Sequence, residues 1–315
     1  MQPTQNLAKQ LTQNIGQVIV GKREVVELML IALLCRGHVL IEDVPGVGKT
    51  TLASALARSL DCSFKRIQFT PDITPSDITG FTIANFKTGE MEYREGLVMS
   101  QIVLADEINR TSPKTQSSLL EVMEEGQVSV DGTTYRMPQP FIVLATQNPV
   151  DFVGTYPLPE AQLDRFFMKI SIGYPTAEEE TDILERYTTG ARPMEQLRPI
   201  CSAQEIVAHQ QEVGKVYASR EVRAYVSLIA AASRKYAGLQ LGISTRGAIC
   251  LLRAGQARAL LDGRDYVIPE DIQRMAAPVL AHRVQLSPEA RMRGISAERA
   301  LQAVIGAVQV PVRTA

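Results

Sequence analysis

The sequence predicts an α/β domain, a three-layer αβα sandwich on a five-stranded parallel sheet, followed by a helical domain. Three observations carry this. Apolar runs alternate with helical patterns through the first 190 residues, and strand-like runs cease after Tyr174-Pro175. The charge balance changes sign at nearly the same place, with 16 Lys/Arg against 24 Asp/Glu up to residue 190 and 17 against 10 from 191 to 315. Strand–helix alternation implies a parallel sheet with helices on both faces. The expected division is therefore 1–190 and 191–315, with Ala191-Arg192-Pro193 as the linker.

Five runs read as buried strands: 37–41, 66–69, 102–105, 141–145 and 167–172. The first, third and fourth are nearly continuous Val, Ile, Leu or Phe, as strands covered on both faces must be. Between them, 49–60 places Leu52, Ala55, Leu56 and Leu60 on one helical stripe, and Ser112-Pro113 is a cap and first-turn signal for a helix over 113–125. Two insertions break the alternation. Residues 127–135 form a hairpin with an Asp131-Gly132 turn, and 81–93, turning near Lys87-Thr88-Gly89, form a second. Neither is needed to complete a strand–helix–strand unit, so each is expected to project.

With 315 residues, 45% apolar and 21% charged, the chain has the composition of a globular protein rather than a disordered or fibrous one. A net charge of -1 provides no overall basic field for nucleic acid. The excess of cations after residue 190 reads either as complementary packing between domains or subunits, or as a face for an acidic partner. The most apolar stretch, Val25 to Cys35, contains Glu27 and is too short to span a bilayer. No export signal is read in Met1-Gln2-Pro3-Thr4-Gln5. Cys35, Cys62, Cys201 and Cys250 are scattered as reduced thiols would be, and His38, His209 and His282 lie too far apart in sequence for a metal motif. The cytoplasm is the expected location.

The segment Asp43-Val44-Pro45-Gly46-Val47-Gly48-Lys49-Thr50-Thr51 lies between a buried strand and a helix, the context that makes a glycine-rich loop a phosphate site. Glycines let successive N–H groups face one anion, the helix N-terminus adds unpaired donors, Lys49 reaches the terminal phosphates and the Thr50 hydroxyl is a Mg²⁺ ligand. The usual pattern opens with Gly where this chain has Asp43, so the Asp43 side chain is expected to point away from the phosphates. About 55 residues on, Ile102-Val103-Leu104-Ala105 delivers Asp106 and Glu107 at a strand's C-terminal end, where ligands bind in open α/β sheets. Asp106 suits the Mg²⁺ hydration shell, and Glu107 suits proton abstraction from an attacking water. A third buried strand ends in Thr146-Gln147-Asn148-Pro149, where Asn148 is placed to orient the same water.

These elements, in this order, resemble the AAA+ ATPases and, within them, the MoxR family. The narrower resemblance rests on Ile41 to Thr50, Phe69-Thr70-Pro71-Asp72, Pro75 to Gly80, Leu104 to Arg110 and Gly154 to Phe166, and it covers roughly residues 15–300. It implies ATP and Mg²⁺ as cofactors, with Asp106 and Glu107 as the metal-shell and catalytic carboxylates and Asn148 as sensor 1. Arg165 matches the arginine finger that reaches a neighbouring subunit's γ-phosphate, a contact worth roughly 10³–10⁵ in rate. Arg246 matches sensor 2, a lid residue contacting the nucleotide of its own subunit. Val18, Ile19 and Gly21 match the segment that cradles adenine. The second domain is then an all-helical lid.

The resemblance also implies a ring, most often a hexamer, and a chaperone-like remodeller working with a separate von Willebrand A-domain protein or a client. The chain is expected to hydrolyse ATP. Two alternatives stay open at this stage, a DNA-directed motor of the same clade and a metal-chelatase motor subunit. Nucleic acid is not the expected partner, because the Asp131-Gly132 hairpin tip is acidic and the other hairpin offers only Lys87 and Arg94.

Overall fold

The computed structural model describes residues 3–87, 89–149, 154–188 and 193–311. In chain order the first part contains α1 (Pro3–Gly16), α2 (Arg23–Leu34), β1 (Val39–Glu42), α3 (Lys49–Ser59), β2 (Phe64–Gln68), α4 (Pro75–Thr79), β3 (Gly80–Ala84) and β4 (Met91–Glu95). It continues with β5 (Ile102–Asp106), α5 (Pro113–Glu125), β6 (Gln127–Val130), β7 (Thr133–Arg136), β8 (Ile142–Gln147), α6 (Glu160–Leu163), β9 (Met168–Ile170) and α7 (Ala177–Thr188). The remainder comprises α8 (Pro193–Gln196), α9 (Ala203–Val213), α10 (Arg220–Ser233), β10 (Leu239–Leu241), α11 (Thr245–Leu261), α12 (Pro269–Leu280), β11 (Gln285–Leu286), α13 (Pro288–Met292) and α14 (Ala297–Gly306).

The main sheet has the order β2-β5-β8-β1-β9 with every pair parallel. Each of the five expected strands is present. The apolar cores split by strand parity, as a two-sided sheet requires. Val39, Ile41, Ile102, Leu104, Ile142 and Leu144 face one cluster with α1, α2 and α3. Leu40, Val103, Ala105, Val143 and Ala145 face the other, with Leu119, Leu120 and Met123 of α5. Helix α5 starts as its sequence dictates, with the Ser112 hydroxyl accepting from Thr115 N at 3.4 Å and proline in the first turn, and it stops at Gly126 in the left-handed conformation.

Both projecting hairpins form, as β3–β4 and β6–β7, and they lean on each other through Tyr93 and Tyr135, stacked 3.9 Å apart. Thr88, in the expected turn of the first hairpin, lies outside the described residues, as do Ala191 and Arg192 of the expected linker.

Two features differ from the sequence reading. Helix α1, for which no sequence signal was read, buries Leu7, Leu11 and Ile15 against α2 and α3. The region after Tyr174-Pro175 is helical except for a small antiparallel ribbon, β10–β11, too short to leave an alternation in the sequence. The first apolar cluster continues from the sheet through α2 into α11, α12 and α14, so the two parts share one core. Part of the cationic excess of the second half is neutralised across this junction: Arg246, Arg258 and Arg283 pair with Glu124, Glu27 and Asp164. That is the complementary packing between domains that the charge asymmetry allowed. Among the described residues no helix is long and apolar enough to cross a membrane.

His38, immediately before β1, ties the sheet's N-terminal edge to α5. Its Nδ1 accepts from Val143 N at 2.9 Å and its Nε2 lies 2.9 Å from Met123 O, so the ring is neutral with the proton on Nε2. Burial pushes its pKa down to about 4, and that of buried His282 to about 3. Both fall below the unfolded value of about 6.5, so the unfolded chain binds more protons as pH drops from there toward 4. The stability these rings contribute is present above pH 6.5 and lost through that window. Urea unfolding at pH 7.5 and 5.0 should differ by about 2 kcal/mol per histidine, and equal midpoints with equal slopes would contradict the assignment.

Candidate active site

Strand β1 runs into the loop 43–48, which opens α3. Gly46 and Gly48 have φ of +86° and +87°. A Cβ at either would meet nothing within 4 Å, so glycine is needed for the backbone conformation and not for room. Val44, Pro45 and Val47 complete the curl, and the first turn of α3 presents the N–H groups of Lys49, Thr50 and Thr51 with no side-chain cap at Gly48. Those free donors and the helix dipole form an anion site. Lys49 Nζ donates to Asp43 O at 2.6 Å. Burial lowers the Lys49 pKa, while the carboxylates of Asp43, Asp106 and Glu107 act to raise it.

The Asp43 side chain does turn away from the loop. Its Oδ2 accepts from Ile172 N, from Gly173 N at 3.2 Å and from Ser171 Oγ at 3.2 Å, so it caps the chain leaving β9. That exit is linked in turn to the expected adenine segment. Lys22 Nζ donates to Tyr174 O at 2.8 Å, and the Glu179 carboxylate occupies the place a Cβ on Gly21 would need. Val18 and Ile19 pack, half-buried, on the main core. Ile19 and Gly21 line a cavity of about 420 Å³ together with Lys9, Thr12 and Lys22.

The two acidic residues leave β5 beside this loop. Thr146 on β8 holds both: its Oγ1 donates to Asp106 Oδ1 at 2.6 Å and accepts from Glu107 N at 2.9 Å. Glu107 has φ +57°, rare for a residue with a side chain, and this turns its carboxylate off the strand axis. Arg66 of β2 donates to Asp106 Oδ2 at 2.6 Å, Gln68 Nε2 to Glu107 Oε2 at 2.8 Å, and Arg110 Nε lies 3.3 Å from the same oxygen. Because β8 lies between β5 and β1, Asn148, buried just past its end, emerges between the carboxylates and the loop. Thr146, Arg66 and Gln68 went unassigned in the sequence. The one available signal was a hydroxyl interrupting an apolar strand next to its polar end.

Thr50 and Asp106 offer a hydroxyl and a carboxylate, both hard oxygen donors. This donor set suits Mg²⁺, which takes the rest of its shell from phosphate and water.

Arg165 and Arg246 are brought together, but not at this loop. Arg165 Nε lies 3.2 Å from Glu124 Oε2, and Arg246 Nη1 lies 3.2 Å from Glu124 Oε1. Glu124 follows Met123, the partner of His38 at the start of β1, and Phe167 N donates to His38 O at 2.8 Å. The pair therefore sits at the N-terminal edge of the sheet, a strand length or about 13 Å from the loop. This corrects the expectation that Arg246 meets the nucleotide of its own chain: the start of α11 is docked on the opposite edge.

Removing the Asp43 side chain should leave the buried N–H of Ile172 and the half-buried N–H of Gly173 without this acceptor. We expect Asp43→Ala to lose about 1–3 kcal/mol in urea unfolding, and Asp43→Asn, which keeps an acceptor, to lose less. An alanine variant as stable as the parent would show that this cap is dispensable.

Comparison with known proteins agrees with this fold. Residues 38–168 match the model of the ATPase family associated with various cellular activities (AAA), and residues 231–304 match the AAA lid domain. The chain is 54% identical over 301 residues to YeaC, an uncharacterized protein of Bacillus subtilis (strain 168), covering 96% of this chain and 94% of the relative. It is 42% identical over 306 residues to Chaperone MoxR1 of Mycobacterium tuberculosis, covering 94% and 80%. A crystal structure of a candidate ATPase from Cytophaga hutchinsonii superposes with a TM-score of 0.91 at 40% identity, covering 98% of this chain and 96% of that one. With a phosphate loop, paired carboxylates at the end of β5 and relatives of this closeness over nearly its whole length, the chain belongs to the MoxR family of AAA+ ATPases.

Proposed function

We propose that the chain is the motor subunit of a Mg²⁺-dependent, ATP-driven ring, hexameric as in the resemblance above, whose hydrolytic site is completed by the neighbouring protomer. The observation that carries this is the separation of the phosphate loop from Arg165 and Arg246, which lie at opposite edges of one sheet. Within one chain they cannot meet. Between adjacent protomers, the N-terminal edge of one faces the C-terminal edge of the next, and both arginines reach its phosphates.

In this reading the backbone N–H groups of Gly46 to Thr51 and the Lys49 ammonium bind the β- and γ-phosphates. Thr50 and Asp106 hold the metal, which supplies charge neutralisation on the phosphoryl oxygens. Glu107 accepts the proton of the attacking water, and Asn148 orients that water from the adjoining strand. The neighbour's Arg165 and Arg246 stabilise the charge that builds in the transition state. Val18, Ile19 and Gly21 contact the adenine.

The work performed is remodelling of a polypeptide, in partnership with a separate von Willebrand A-domain protein. Kinship with Chaperone MoxR1 supports this, as does the first hairpin. Phe86 at its end is fully exposed, and Phe81 and Met91 beside it are about half or more exposed, an apolar surface suited to protein and not to phosphate backbones. The second hairpin's turn carries Asp131, which disfavours the DNA-directed alternative.

Lys49→Ala should lose ATP binding in a fluorescent-nucleotide titration. Glu107→Gln should bind ATP with near-parental affinity while phosphate release falls at least 100-fold; parental turnover in this variant would remove Glu107 from the chemistry. Arg165→Ala should bind ATP yet lose turnover, and mixing it with Glu107→Gln protomers, which carry an intact arginine, should restore part of it. If the mixture hydrolyses no more than its components, the shared site is refuted.

A further inference from the structure

Resting on the shared-site reading, we propose that Glu124 is a positioning residue that holds Arg165 and Arg246 as one two-pronged unit presented to the neighbouring protomer's triphosphate. Each carboxylate oxygen takes one guanidinium, Oε2 from Arg165 and Oε1 from Arg246, both at 3.2 Å. Two guanidinium groups brought this close repel each other, and a carboxylate between them neutralises the repulsion and fixes both by charge-assisted bonds. The three side chains are 32%, 42% and 40% exposed, and ion pairs this open to water contribute little to stability. Holding the fold together is therefore a poor account of the arrangement, and aiming two cations at the same outside anion is a better one.

The support beneath the pair points the same way. Asp164, next to Arg165, accepts from Arg283 Nε at 2.8 Å, and its Oδ1 lies 3.5 Å from the hydroxyl of Ser244, the cap of the helix that carries Arg246. The Arg283 side chain is 1% exposed; it also donates to Phe167 O at 3.0 Å and Phe166 O at 2.6 Å. A buried guanidinium thus fastens the chain bearing Arg165 to α12, while Asp164 touches the start of α11. Both arginines stand on one braced platform, with Glu124 setting the spacing of their ends. Glu124 comes from α5, whose far end opens beside the acidic pair of its own chain.

The test uses full-length protein in its assembled state, two Glu124 variants, and Glu107→Gln and Arg165→Ala for the mixtures. Glu124→Gln keeps the side chain's size and removes its charge; Glu124→Asp keeps the charge and shortens the reach. Misplacing the arginines should lower kcat of Glu124→Gln by about 10- to 100-fold with ATP affinity and melting temperature near the parent's, and Glu124→Asp should recover part of the loss. The defect lies on the neighbour's site, so mixing Glu124→Gln with Glu107→Gln protomers should raise turnover, as it should for Arg165→Ala. Parental kcat in Glu124→Gln, or a loss that mixing does not relieve while the Arg165→Ala mixture is relieved, overturns the positioning role and leaves the shared site standing. Failure of both mixtures overturns the shared site and this role with it.

Discussion

A parallel sheet has two chemically different edges, and the rest of this molecule follows from that polarity. All five strands point the same way, so every strand's last residues meet at one edge: the loop after β1, Asp106 and Glu107 after β5, Asn148 after β8. The groups suited to phosphate, metal and water chemistry therefore gather there without any residue needing to reach far. The opposite edge receives what enters the strands: His38, the Asp164 to Phe167 segment and the end of α5. Of the side chains there, Arg165, Arg246 and Glu124 are partly exposed and lie away from their own loop. On the shared-site proposal, an ATPase whose arginines enter at that edge would be incomplete as a single chain.

At the phosphate edge the carboxylates are held by polar contacts from two strands, β8 and β2. Thr146 fixes Asp106 through its side chain and Glu107 through its backbone, and Arg66 and Gln68 take one outer oxygen each. Glu107 accepts a left-handed backbone, which costs about 1–3 kcal/mol, and in exchange its carboxylate clears the strand. Asp43 makes the equivalent contribution on the other flank. Where the general loop pattern has a glycine, this chain places a carboxylate that ties the loop to the exit of β9, and Lys22 and Glu179 continue that tie to Gly21. The phosphate loop and the segment around Gly21 are thus braced by one connected set of bonds.

Most of the phosphate edge was legible in the sequence because its signals are local. Gly46-Val47-Gly48-Lys49 and Asp106-Glu107 each lie within one turn, directly after an apolar run, and Asp43 announced itself as a departure from a short pattern. What escaped depends on long-range placement. Glu124 sits beside Glu125 on the outer face of an amphipathic helix and reads as solvated surface. Arg66 and Gln68 alternate along an edge strand as exposed polar residues do. The ribbon β10–β11 joins Leu239–Leu241 to Gln285–Leu286, segments of three and two residues, too few for a period to show. Arg246 was found by its motif but assigned to its own nucleotide, since no spacing reports which edge of the sheet a lid helix will dock on.

That docking determines how one site can influence the next. A lid joined to its core by a bare linker would close on its own nucleotide independently of the neighbour. Here the apolar core runs unbroken from the sheet through α2 into α11 and α12, and Arg258 and Arg283 cross the same junction to Glu27 and Asp164. Close-packed interiors shift between discrete arrangements and do not deform gradually. A movement of the loop end of one chain is therefore carried to its arginine edge as displacement of a nearly rigid body. In the ring proposed above, that edge would face the next chain's phosphates, and the stiffness between lid and core would then couple one site to the next.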